Sequence, residues 1–115
     1  EQVACDFLNN RGLKTIARYF RCRLGEIDLI MRHRDCLVFV EVRYRGGRRI
    51  ATAGITVDGH KQRKLIRTAA LFLAGRTRSA NSTVRFDVVA IDVDQSGRRT
   101  IEWIRDAFRP GDASL

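Results

Sequence analysis

Asp28 and Glu41 are the side chains whose type and placement point most directly to chemistry. Each is a single acid inside an apolar, β-branched run, Ile27-Asp28-Leu29-Ile30 and Val38-Phe39-Val40-Glu41-Val42. Such runs read as strands buried on both faces. A carboxylate in a buried strand costs free energy unless something compensates it, and two side by side repel. A divalent cation removes both penalties. Mg²⁺ or Mn²⁺ is the expected cofactor, because Mg²⁺ takes one or two carboxylates, keeps several waters and fills its shell with substrate phosphate oxygens. With the Val42 carbonyl as a third ligand, such an ion would polarise a phosphodiester and activate an attacking water. Arg43, two residues beyond Glu41, points to the same face and would stabilise charge in the transition state.

That chemistry needs the two strands in one register. The turn between them falls at His33-Arg34-Asp35-Cys36. A symmetric two- or four-residue loop pairs residues whose numbers sum to 69, so Asp28 faces Glu41, Ile30 faces Phe39 and Glu26 faces Arg43. Opposed side chains then lie about 5 Å apart at Cβ. Arg34-Asp35 is not a favoured type I′ pair, and a three-residue loop would send the acids to opposite faces. A competing expectation is that Glu26, Asp28 and Glu41 form salt bridges with Arg23, Arg43 and Arg45.

The rest of the pattern surrounds this hairpin. Residues 1 to 11 read as the end of a helix stopped by Gly12. Strands are expected over 14–23, 26–31, 37–43, 83–93 and 100–104. A helix is expected over 57–74, capped by Thr56, with Gln62, Leu65, Ile66, Ala69 and Leu73 on its apolar face. The order is α-β-β-β-α-β-β. No repeat or interior linker divides it, so residues 1–115 read as a single α/β domain. Phe7, Phe72, Phe86 and Trp103 read as core, and Asp87, another acid in an apolar strand, reads as structural.

The 115 residues carry 22 Lys and Arg against 13 acids, a net charge of +9. Between Val42 and Arg67 lie Arg43, Arg45, Arg48, Arg49, Lys61, Arg63, Lys64 and Arg67, against the single acid Asp58. Positive charge clustered beside a carboxylate pair points to a nucleic-acid partner. Arg45, Arg48 and Arg49 flank Gly46-Gly47 as a phosphate-contacting loop, and Lys61, Gln62 and Lys64 open the second helix. Cys5, Cys22 and Cys36 are too scattered for a zinc knuckle or a disulfide framework, which favours reduced thiols and a cytoplasmic location. No run is long enough to span a membrane.

An Asp and a Glu on successive strands with twelve residues between them, as Asp-x(12)-Glu-x-(basic), resemble the PD-(D/E)xK nuclease core of restriction endonucleases and Holliday-junction resolvases. RCRLGEIDLI, LVFVEVRYR, HKQRKLIRTAALFL, VRFDVVAID and EWIRDAF, in that order, resemble the bacterial YraN-like family across essentially the whole chain. The resemblance implies a restriction-endonuclease-like αβββαβ core with a mixed central sheet flanked by helices. It implies Asp28 and Glu41 as metal-binding acids, Glu1 as an additional acid of the metal site, Glu26 as part of the GEIDL motif, and Lys61-Gln62 as a phosphate-contacting pair. It also implies a metal-dependent endonuclease acting on DNA, branched or damaged, with a homodimer as the working form. The chain departs from the pattern at Arg43, where the motif has lysine. Arginine does not give up its proton, so Arg43 cannot serve as a general base. A non-catalytic nucleic-acid-binding domain that keeps the nuclease fold is the alternative.

Overall fold

The computed structural model describes residues 1–45, 57–76 and 83–110. Along them run α1 (Gln2–Asn9), β1 (Lys14–Cys22), β2 (Gly25–His33), β3 (Cys36–Arg45), α2 (Gly59–Ala74), β4 (Thr83–Val93) and β5 (Arg99–Phe108). The five strands form one sheet in chain order. Neighbours are antiparallel except the central β3–β4 pair, which is parallel. A parallel pair needs a crossover, and α2 lies within it. The sheet is therefore mixed, with the expected αβββαβ order and β5 added as an antiparallel edge. This is the arrangement of a restriction-endonuclease-like core.

Both faces of the sheet are covered, which is why β2, β3 and β4 read as nearly continuous apolar runs. On one face Leu29, Met31, Val38, Val40, Val89 and Ile91 pack with Ala4, Cys5 and Leu8 of α1. On the other, Ile30, Leu37, Phe39, Phe86 and Val88 pack with Leu65, Ala69 and Phe72 of α2. Phe39 stacks on Phe86 at 5.5 Å and Phe86 on Phe108 at 5.0 Å between ring centres. Phe72 and Phe86 are core as expected, whereas Phe7 and Trp103 are only partly buried against the α1-side cluster.

The hairpin register is the expected one: Leu29 opposes Val40, Ile30 opposes Phe39 and His33 opposes Cys36. The Arg34-Asp35 loop closes with Arg34 at φ 57°. A left-handed conformation costs a non-glycine residue roughly 1–2 kcal/mol. Slipping β2 by one residue would send Leu29 and Met31 into the α2-side core and Ile30 into the α1-side core, each packed for other side chains.

Pairing of β2 with β3 fails beside Asp28. The β2–β3 ladder ends at Leu29–Val40. On the other side the β1–β2 register runs from Arg18–Leu29 to Phe20–Ile27, passing over Tyr19 and Asp28, and Tyr19 takes φ 55°. Ile27 and Ile30 consequently share one core although they are an odd number of residues apart. β2 changes phase there and leaves β3.

Two details of α2 differ from expectation. Its N-cap is Asp58, whose side chain accepts the Lys61 N–H at 2.9 Å; Thr56 lies outside the described residues. Its buried residues are Leu65, Thr68, Ala69 and Phe72, with Ile66 and Leu73 only partly covered. Thr68 can be buried because its hydroxyl donates to the Lys64 carbonyl at 2.8 Å. A count of apolar residues passes over a threonine satisfied in this way.

Candidate functional site

The strand departure at Asp28 opens a gap beside β3. Asp28 Oδ2 fills part of it by accepting the Val42 N–H at 2.8 Å. The N–H and C=O of one strand residue point to the same side. The Val42 carbonyl is therefore also directed toward β2 and the gap. The Asp28 and Glu41 carboxyls line the same pocket. Burial raises the Asp28 pKa from 3.8 to about 6; the Val42 N–H opposes the rise, and the charges of Glu41 and Glu1 add to it. Glu41 is only 8% exposed.

This carboxylate pair forms one wall of a pocket of about 360 Å³. Asp28, Glu41 and Val42 line it from the sheet, Lys61, Lys64 and Leu65 from α2, with Glu26 also present. Lys61 Nζ is ion-paired with Glu41 Oε2. The first turn of α2 holds Lys61 there. Asp58 caps it, and Gln62 Nε2 donates to the Val57 carbonyl at 2.6 Å. The Lys61 N–H holds the Asp58 carboxyl below its usual range, with smaller contributions from the positive charges of His60 and Arg43.

Gly25 makes room for the second lysine. It has φ +154°, and an added Cβ would lie 3.1 Å from Lys64 Cε and 3.1 Å from Thr68 Oγ1. The Lys64 stem thus passes directly over the β1–β2 turn. Gly25→Ala must strain the backbone and displace that stem. The expected cost is about 1–2 kcal/mol, on the order of 4–8 °C in melting temperature. Thermal denaturation followed by circular dichroism measures it, and an unchanged melting point would refute the account.

The remaining candidates are placed as follows. Glu1 caps α1 without a side-chain cap bond, and its charge reaches Asp28. Among the described residues no three His, Cys, Asp or Glu side chains form a metal-holding cluster, so Glu1 does not complete a ligand triplet with the pair. Arg43 follows Glu41 by two on β3 and is partly exposed. Arg45 ends β3, and Arg48 and Arg49 lie outside the described residues. Glu26 does not face Arg43. β2 has left β3 by that point, and Glu26 is in register with Arg21 of β1, its ion-pair partner at 3.0 Å. The arginine-only pairing scheme also fails at Glu41, whose partner is a lysine from α2. Asp58 and Gly25 were not singled out as site-shaping residues. Asp58 was legible as a cap-type residue three positions before Lys61.

A model of the Uncharacterised protein family UPF0102 matches residues 1–91. The chain belongs to this family. A UPF0102 protein of Nitrosococcus oceani is 47% identical over 109 residues, covering 95% of this chain and 87% of the relative. A relative from Methylococcus capsulatus is 46% identical over 108 residues, covering 94% and 85%. One from Pseudomonas putida is 42% identical over 108 residues, covering 94% and 88%. This is the YraN-like family that the GEIDLI and FVEV segments resemble. The UPF0102 match includes every residue lining the pocket and ends before β5. Among solved structures, Pyrococcus furiosus SfsA in complex with Ca²⁺ aligns with a TM-score of 0.40 at 12% identity, over 90% of this chain and 58% of that one. Among the described residues, no helix is long and apolar enough to cross a membrane.

Proposed function

We propose that this UPF0102 protein is a metal-dependent nuclease that cuts phosphodiester bonds in DNA, with branched or damaged DNA as its substrate class. The observation that carries the proposal is the pair Asp28–Glu41: two acids lining one pocket with Lys61 and Lys64, where a strand leaves its partner. Their mutual repulsion is what a divalent ion would relieve. The donors are hard oxygens, suited to Mg²⁺ or Mn²⁺. Asp28, Glu41 and the Val42 carbonyl would hold the ion, which when bound supplies Lewis-acid activation of the phosphodiester and of water. Lys61 and Lys64 face the same space and would hold phosphate oxygens. Arg43 supplies a permanent positive charge for the transition state and accepts no proton.

The test is nicking of supercoiled plasmid and of a four-way junction with Mg²⁺ or Mn²⁺. Wild type is expected to cut, and Glu41→Ala to lose roughly 100-fold or more in rate. A second reading, a nucleic-acid-binding domain without cleavage, is favoured by Arg43 at the motif's lysine position. It calls for salt-sensitive DNA binding with no metal-dependent nick, and for binding unimpaired by Glu41→Ala, because phosphate contacts come from Lys and Arg.

A further inference from the structure

We propose that the Lys61 ammonium is the resident cation of the carboxylate site, holding Glu41 when no metal is bound and turning to the substrate phosphate when a metal displaces it. The inference rests on the metal-site reading above. Three observations support it. First, the pair is asymmetric: the Glu41 side chain is 9% exposed and that of Lys61 is 42% exposed. The lysine is the half that can move. Second, the Lys61 backbone is fixed by the Asp58 cap, while its four-carbon stem is flexible. The ammonium can swing without any shift of α2. Third, the ammonium is paired with Glu41, and Asp28 is held by the neutral Val42 N–H, so a divalent ion between the two carboxylates would engage both where the lysine engages one. Glu41 Oε2 cannot serve both cations at once. Lys61 and Lys64 line the same pocket, so a released ammonium stays beside the space a phosphate would enter.

Exchange of this kind has an unusual signature. Removing the lysine should strengthen metal binding and weaken turnover. Mn²⁺ is titrated calorimetrically into wild type, Lys61→Met and Lys61→Arg. Lys61→Met is expected to bind about threefold to fivefold more tightly, the upper value of a half-exposed ion pair. Lys61→Arg keeps the competing charge and is expected to stay within about twofold of wild type. At saturating Mn²⁺, plasmid nicking by Lys61→Met should fall at least roughly tenfold. Lys61→Gln repeats the test if the methionine variant misfolds. A Lys61→Met protein that binds Mn²⁺ no more tightly than wild type, or nicks at full rate, overturns the inference alone. If neither protein binds Mn²⁺, the metal-site reading fails and takes the inference with it.

Discussion

Asp28→Asn is expected to melt several degrees above wild type at neutral pH without metal, and to lose metal-dependent cleavage. The Asp28 carboxyl titrates near 6 in the folded chain against 3.8 in the unfolded one, chiefly because burial disfavours its charge. Below about pH 3 both states are protonated and no penalty exists. As pH rises toward 6 the unfolded state ionises first, and native stability falls. Above about pH 6.5 the full penalty is present. The shift corresponds to at most about 3 kcal/mol; discounted for the solvent that still reaches the group, about 1–2 kcal/mol remains. That is roughly 4–8 °C for a domain of this size. Asparagine keeps an acceptor for the Val42 N–H and gains a donor toward Glu41, yet carries no charge. Melting curves at about pH 3 and pH 7.5 should therefore converge in acid and separate at neutrality. An asparagine variant less stable than wild type at neutral pH would mean that the carboxylate is a structural group.

Asp87→Ala should produce the largest loss of stability, about 3–5 kcal/mol. Asp87 is 1% exposed and surrounded by donors. Its Oδ1 accepts from Arg85 Nε and the Asp106 N–H, each at 2.9 Å. Its Oδ2 accepts from Arg85 Nη2 at 3.0 Å and Trp103 Nε1 at 2.9 Å. These bonds tie β4 to β5 where their register shifts between Phe86 and Val88. Alanine leaves a guanidinium only 17% exposed without its anion and an indole N–H without its acceptor. Against a total stability of about 5–15 kcal/mol, such a loss is severe. Urea denaturation gives the value; a loss under about 1 kcal/mol would contradict the account.

The two aspartates show how far the sequence could be read. Ile27-Asp28-Leu29 and Phe86-Asp87-Val88 look alike locally. Both are acids in apolar strands, and their difference lies in donors that arrive from elsewhere. Arg85 is two residues from Asp87 and was visible, but Trp103 and Asp106 come from β5. The hairpin register was legible because a symmetric loop at His33-Arg34-Asp35-Cys36 makes paired residue numbers sum to 69. The departure of β2 at Asp28 was not, since nothing in Gly-Glu-Ile-Asp marks a change of phase. Nor was the Lys61–Glu41 contact, which joins residues twenty apart through a helix that could have docked in other rotations. Thr68 shows why: a buried hydroxyl turned α2 by more than its apolar residues alone would indicate.

The irregular backbone at the sheet's margins has a consequence for how copies of this chain meet. A sheet edge invites another strand when its outward N–H and C=O groups form an unbroken row. On β1 that row is disturbed between Thr15 and Ala17 and again at Tyr19; on β5 it is disturbed at Asp106, which takes φ 51°. Arg18 and Arg21 on β1, and Arg99 and Arg105 on β5, add like charges along both margins. Strand-by-strand growth into fibrils or edge-to-edge dimers is opposed at each end, so any self-association should proceed through helices or loops.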